Sequence, residues 1–361
     1  MFMQHGGNIL EIAEQYGLAT QDIIDFSANI NPLGIPESIK QAIIQNIDQL
    51  KHYPDIRYRE LTEAISQYHN CLASQVFVGN GAAEIIYSLP QVLETQKMLV
   101  LAPTFSEYES AFSQTGTEFS YYSLEDNQFN LSIEQFIEQA KLAQVDSICL
   151  CNPNNPTGQV LAKEDSLRLL DFCQQANILL VMDEAFMDFI IDEECSLADY
   201  LDQYSQLYIV RSLTKIFAIP GLRLGYLLTS NELVIDQLNK TCPPWHINTL
   251  ASLAGQVALQ DKEYLEESLS YVKEQRRYLI KELSTISTIE MYPSDTNFLF
   301  FKWLGNVDLR LELISNGYLI RTCETFKGLK ETYYRIAVRT HEENKGLVKA
   351  IQEIVHEKSD C

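Results

Sequence analysis

The chain has 361 residues, 46% hydrophobic and 21% charged, with a formal net charge of −22 at pH 7. That length supports a large buried core and about two domains, and no run of 18 apolar residues exists to cross a bilayer. The negative charge argues against nucleic acid and anionic membranes as partners, and it makes any arginine placed to meet an anion informative.

In chain order, residues 1–7 lack a basic region followed by an apolar stretch, so they do not read as a signal peptide, and a cytoplasmic location is expected. Apolar runs of strand length follow at 75–78, 97–102, 146–151, 178–182, 207–211 and 224–228. Between them, residues 82–93, 134–142 and 163–174 show helical periodicity. Buried strands alternating with helices predict a mainly parallel sheet covered on both faces. From residue 261 the character changes. A long charged helix over 261–283 precedes a strand at 297–302, a helix at 307–316, a strand at 333–338 and a closing helix from about 342. The fold class is therefore α/β. A large domain over 46–260 carries the parallel sheet, and a smaller α+β domain combines residues 1–45 with 261–361. Eight cysteines are scattered without paired CxxC clusters of the zinc-binding kind, and they read as reduced thiols, with no metal expected.

Four segments lie at strand ends, where open α/β sheets place ligands. Asp183 directly follows the apolar run Ile178-Leu-Leu-Val-Met; taken alone, such a carboxylate is more often a helix cap. Lys215, in Ser212-Leu213-Thr214-Lys215, is flanked by apolar residues and followed by Arg223. An apolar setting and a nearby cation both lower an amine pKa from about 10.4, giving the neutral nucleophile that a Schiff base requires. Cys151-Asn152-Pro153-Asn154-Asn155-Pro156-Thr157-Gly158 is turn-rich and reads by itself as a loop. Gly79-Asn80-Gly81-Ala82-Ala83 is a glycine turn opening a helix, which offers backbone N–H groups to a phosphate.

In order, spacing and placement these four segments resemble the fold type I pyridoxal-phosphate aminotransferase family over nearly the whole chain. The resemblance implies that Lys215 carries the cofactor as a Schiff base and that Asp183 pairs with the protonated pyridine nitrogen. It implies that Asn155 bonds the ring oxygen and that Tyr108 stacks on the ring. Ser212, Thr214, Arg223 and the amides of Gly81, Ala82 and Ala83 would hold the cofactor phosphate. Tyr53 would reach the neighbouring subunit's site, which implies a homodimer. One position departs from the pattern: Phe186 stands where many members carry a tyrosine, so Asn155 would bond the ring oxygen alone.

The segments His5-Gly6-Gly7-Asn8 and Asp25-Phe-Ser-Ala-Asn29-Ile-Asn-Pro-Leu-Gly34 closely resemble the threonine-phosphate decarboxylases of cobalamin synthesis. Asp183-Glu-Ala-Phe-Met-Asp-Phe189 and Tyr333-Tyr-Arg-Ile-Ala-Val-Arg339 carry the likeness further. It implies decarboxylation of L-threonine O-3-phosphate to (R)-1-aminopropan-2-yl phosphate. A strand-borne guanidinium can grip a planar carboxylate with two parallel hydrogen bonds. The resemblance assigns Arg335 to the substrate carboxylate and Arg321, with His5 and Gly6, to the substrate phosphate. Asn29 and Asn155 would complete the substrate site, with Arg339 a further neighbour. For each arginine the competing reading is a surface ion pair in an acid-rich chain. Two other functions remain open at this point. Histidinol-phosphate aminotransferase shares the cofactor motifs, and a non-catalytic domain of the same fold would predict loss of the lysine or the aspartate.

Overall fold

The computed structural model describes residues 6–190 and 195–359. A seven-stranded sheet occupies the centre in the order Val76–Gly79, Gly225–Leu228, Leu207–Ser212, Leu179–Asp183, Ser147–Cys151, Lys97–Ala102 and Glu118–Ser123. Gly225–Leu228 runs antiparallel to both neighbours and the remaining pairs are parallel. The sheet is covered on both faces, and the period-2 geometry of a strand explains why its sequences look continuously apolar. Within Ser147–Cys151, Ile148 and Leu150 join one core with Leu99, Leu180 and Ile209. Cys149 and Cys151 point the other way and join a second core with Val100, Val181 and Val210. The buried-cysteine reading follows from that position.

Two differences from the sequence reading have plain causes. The edge strand Glu118–Ser123 was not anticipated; paired on one side only, it is mostly half-exposed and carries no apolar run. The expected helix over 82–93 is α-helical only for Ala82–Ser88, and Pro90 then sits in a 3-10 turn, Leu89–Gln91, because proline has no amide to continue the helical ladder.

A second, antiparallel sheet has the order Arg321–Thr322, Tyr333–Ala337, Phe298–Trp303 and Ile289–Met291. The long helices Lys262–Leu283 and His341–Ser359 pack against each other beside it. The chain's beginning returns here: Ile24–Asp25 pairs in parallel with Tyr318–Leu319, and Ile12, Ala13 and Ile23 share a small core with Ile314 and Leu319. This contact draws residues 27–29 over the end of the large sheet.

Directly after Asp183, the buried Glu184 accepts a hydrogen bond from Arg211 at 2.7 Å, and Asp188 accepts another from the same guanidinium at 2.5 Å. Ser196 and the Leu197 amide also donate to Glu184. The cluster ties the turn behind Asp183 to the strand that leads to Lys215. Arg211→Met leaves two carboxylates buried without their cation. We expect it to destabilise the fold by about 3–5 kcal/mol, read as a lowered urea midpoint with an unchanged slope.

Candidate active site

The C-terminal ends of the parallel strands bring three of the four motif segments to one edge. Cys151 is paired with Asp183, and Asp183 with Val210, in neighbouring strands, so the turns after them open side by side. Above them lies a cavity of about 290 Å³. Lys215, Asp183, Asn155 and Tyr108 line its floor region, and Ala82, Ala83, Ser212, Thr214 and Arg223 line it on the glycine-turn side. Gly6, Asn29, Arg321 and Arg335 close it from the second sheet and the N-terminal segment.

Lys215 sits in the short helix Leu213–Ile216 that follows strand Leu207–Ser212. Burial pushes its amine down from 10.5 to about 8, helped by the Arg335 and Arg223 cations and opposed by Asp183. Roughly a tenth of the amine is then neutral at pH 7, against a few parts in ten thousand for an ordinary lysine. Asp183 is 4% exposed and accepts hydrogen bonds from the Tyr108 hydroxyl at 2.6 Å and the Ala185 amide at 2.9 Å. Burial raises its pKa, while those two donors lower it.

Asn155 is held in a rigid loop. The neighbouring Asn154 accepts from Thr104 at 2.9 Å and donates to the Pro103 carbonyl and the Thr157 hydroxyl. Asn155 Oδ1 accepts from Arg335 Nη1 at 2.5 Å, and Arg335 Nη2 donates to the Ser27 carbonyl at 2.7 Å. Arg335 Nε, also buried, has no hydrogen-bond partner among the described residues, and neither has Asn29 Oδ1. Burial pulls Arg335 down to about 10 and lowers Arg321 as well. Arg321 Nη2 donates to Thr325 at 2.7 Å, and its guanidinium lies 5.7 Å from the Phe326 ring centroid.

The most telling geometry is the register of the second sheet. Arg321 and Arg335 are directly opposite each other on adjacent antiparallel strands, and each is only 6% exposed. Facing like charges destabilise a strand pair, and burial worsens this. An anion between them would offset that penalty, so the pair could receive a negatively charged group.

On the other side, the first-turn amides of Ala82 and Ala83 have no acceptor within their own helix and border the cavity. Gly81 precedes them at φ +82°, and a Cβ there would run into the Arg223 guanidinium. The Ser212 and Thr214 hydroxyls are 2.7 Å apart beside this cradle. Amides, hydroxyls and a guanidinium converging with a neutralisable lysine fit a phosphorylated aldehyde cofactor. Asp183, a buried carboxylate on the same cavity, could hold a protonated ring nitrogen.

Some expected residues lie elsewhere. His5 is outside the described residues. Tyr53 does not reach the cavity; it is 80% exposed, and its ring centroid is 4.7 Å from that of Trp245. Arg339 turns away, donating to the Asp25 carbonyl and pairing with Glu343 at 2.8 Å, so it joins elements rather than lining the site. Phe186 lines the cavity and packs edge-on against Phe298 at 5.0 Å. Sequence reasoning missed Ser27, Phe105, Ser106, Thr325 and Phe326, which also line the wall. Ser27 sits inside a quoted motif and Phe105 and Ser106 lie just before Tyr108, but Thr325 and Phe326 lie in a turn with no motif to mark them.

A family model described as aminotransferase class I and II matches residues 21–351. The chain is 36% identical over 352 residues to threonine-phosphate decarboxylase of Salmonella typhimurium, covering 97% of this chain and 96% of that one. It is 32% identical to histidinol-phosphate aminotransferase of Methanosphaera stadtmanae over 96% of this chain and 94% of that one. Among solved structures, histidinol-phosphate aminotransferase from Clostridium acetobutylicum superposes with a TM-score of 0.86 at 33% identity, covering 92% of this chain and 99% of that chain.

Proposed function

The chain belongs to the aminotransferase class I and II family, whose cofactor is pyridoxal phosphate, and from that premise we propose that it decarboxylates L-threonine O-3-phosphate to (R)-1-aminopropan-2-yl phosphate for adenosylcobalamin synthesis. The observation that carries the reading is the facing pair of buried arginines, Arg321 and Arg335. A substrate bearing both a phosphate and a carboxylate satisfies the two together. Histidinol phosphate brings only the phosphate, and in an aminotransferase the carboxylate would come from the oxo-acid acceptor in the other half-reaction.

The residues divide the work. Ala82, Ala83, Ser212, Thr214 and Arg223 would hold the cofactor phosphate, and Asp183, Asn155 and Tyr108 would hold its ring. Bound pyridoxal phosphate supplies a sink for the electron pair released at the substrate Cα. Arg335 grips the substrate carboxylate, and Arg321 with Gly6 holds the substrate phosphate. These two anchors fix the rotation about the Cα–N bond, and so decide whether the carboxylate or the Cα hydrogen stands perpendicular to the conjugated plane. Lys215 Nζ would hold a proton within reach of the substrate Cα. After carbon dioxide departs with its carbon–carbon bond broken, that proton closes the product amine carbon.

Residues 46–260 form the cofactor-binding domain in this reading, and residues 1–45 with 261–361 the smaller one. Tyr53, exposed beside Trp245, serves a second copy's site in a homodimer.

The test is product analysis of purified holoenzyme with threonine phosphate. Stoichiometric carbon dioxide and aminopropanol phosphate are expected, without need of an oxo-acid acceptor. The alternative reading, favoured by the similar histidinol-phosphate aminotransferases, replaces this one if keto acid forms only when an acceptor is present, or if histidinol phosphate with 2-oxoglutarate turns over faster.

A further inference from the structure

Three metal-donor side chains meet outside the cavity, behind the glycine-turn helix. Glu84 lies in the first turn of Ala82–Ser88, and Cys242 directly follows helix Glu232–Thr241. His246 ends the turn Pro243-Pro244-Trp245. One donor atom from each lies within 4.8 Å of the other two, and all three residues are partly buried. We propose that Glu84, Cys242 and His246 form a binding site for one divalent cation of the zinc type.

A thiolate, an imidazole nitrogen and a carboxylate oxygen are all zinc ligands, and three protein ligands leave a fourth, tetrahedral position for water. Bonds of about 2.0–2.3 Å place donors about 3.3–3.8 Å apart, so side-chain ends need shift by only about 1 Å. His246 Nδ1 and Glu84 Oε2 are already 2.7 Å apart, joined by a hydrogen bond that the ion would replace. The surroundings hold the donors in place. The Asn80 amide donates to Glu84 Oε2 at 2.6 Å, and Ser88 Oγ lies 3.7 Å from Cys242 Sγ. The imidazole stacks on Phe77 at 5.9 Å and meets Tyr58 edge-on at 5.4 Å, which fixes the ring plane. Trp245, at φ +59°, takes the left-handed conformation that a bulky residue rarely adopts, and so turns the chain within the three residues between Cys242 and His246.

The balance of charge is simple. Cys242 gives its proton to solvent, His246 binds neutral through Nδ1 with its proton on Nε2, and Glu84 binds as the carboxylate. Two negative ligands cancel the dication. The Glu84 carboxylate in the first helical turn disfavours an anion at the same helix start, and a bound cation would offset that repulsion.

The experiment is titration of tag-free holoenzyme with Co²⁺, followed by the visible bands of tetrahedral, thiolate-ligated cobalt. The bands should saturate at one equivalent and be displaced by Zn²⁺. Cys242→Ser should abolish the thiolate character and weaken binding at least about tenfold, and Glu84→Gln should weaken it while keeping the side-chain shape. Cys71→Ser, a partly buried thiol outside the cluster, should change nothing. Thermal melting and the cofactor's own absorbance report whether each variant is folded. Absence of the bands at one equivalent, or their survival in folded Cys242→Ser, overturns the site.

Discussion

Lys215→Ala is expected to reduce turnover by at least about 10³-fold and to remove the visible absorbance of the lysine-bound cofactor. The cofactor should still associate, more weakly, because the phosphate cradle of Ala82, Ala83, Ser212, Thr214 and Arg223 is untouched. The wild-type lysine also predicts a pH dependence with a definite sign. Its amine titrates at about 8, and only the neutral form attacks a carbonyl. The rate at which apoprotein takes up pyridoxal phosphate should therefore fall about tenfold per unit below pH 8 and level off above it. A flat profile between pH 6 and about 8 would contradict the lowered value. Burial is its largest cause and Arg335 the next, so replacing Arg335 by a neutral residue should move the inflection upward.

Arg335→Met carries the second large effect, and it should separate function from stability. Loss of a buried, charge-assisted grip on the substrate carboxylate is worth about 2–4 kcal/mol, or roughly 30- to 1000-fold in kcat/KM. Stability should not fall in parallel. Arg335 faces Arg321 across the strand pair, and its Nε has no hydrogen-bond partner among the described residues. Removing it relieves like-charge repulsion and a buried unpaired donor, which offsets the lost bonds to Asn155 and Ser27. Unchanged or raised thermal stability with collapsed activity marks a residue kept for its ligand. A parallel loss of both would make Arg335 a structural residue, and the reading of the facing arginines would fail with it.

The parallel sheet was legible because strands buried on both faces favour near-continuous apolar runs, as at 148–151 and 207–210. Asp183, Asn155 and Lys215 were legible because each follows such a run, and that sheet edge is where ligands lie. The two-residue strands Ile24–Asp25, Tyr318–Leu319 and Arg321–Thr322 were not legible, since so short a segment carries no period. The helix at 82–93 was read too long because the apolar spacing continues past the point where Pro90 interrupts it.

The sequence by itself placed a lysine between apolar residues, a carboxylate and a glycine turn at strand ends, and their resemblance to a known family, taken together, implied the cofactor. Tertiary structure decided what surrounds them. Only the register of the second sheet sets Arg321 opposite Arg335, and only the pairing of Ile24–Asp25 with Tyr318–Leu319 draws Ser27 and Asn29 over the cavity. Tyr108 meets Asp183 across 75 residues, and Glu84 meets His246 across 162. Hydrophobic period encodes which face of an element is buried, but the partner of a polar group depends on how distant elements dock, and no local spacing records that.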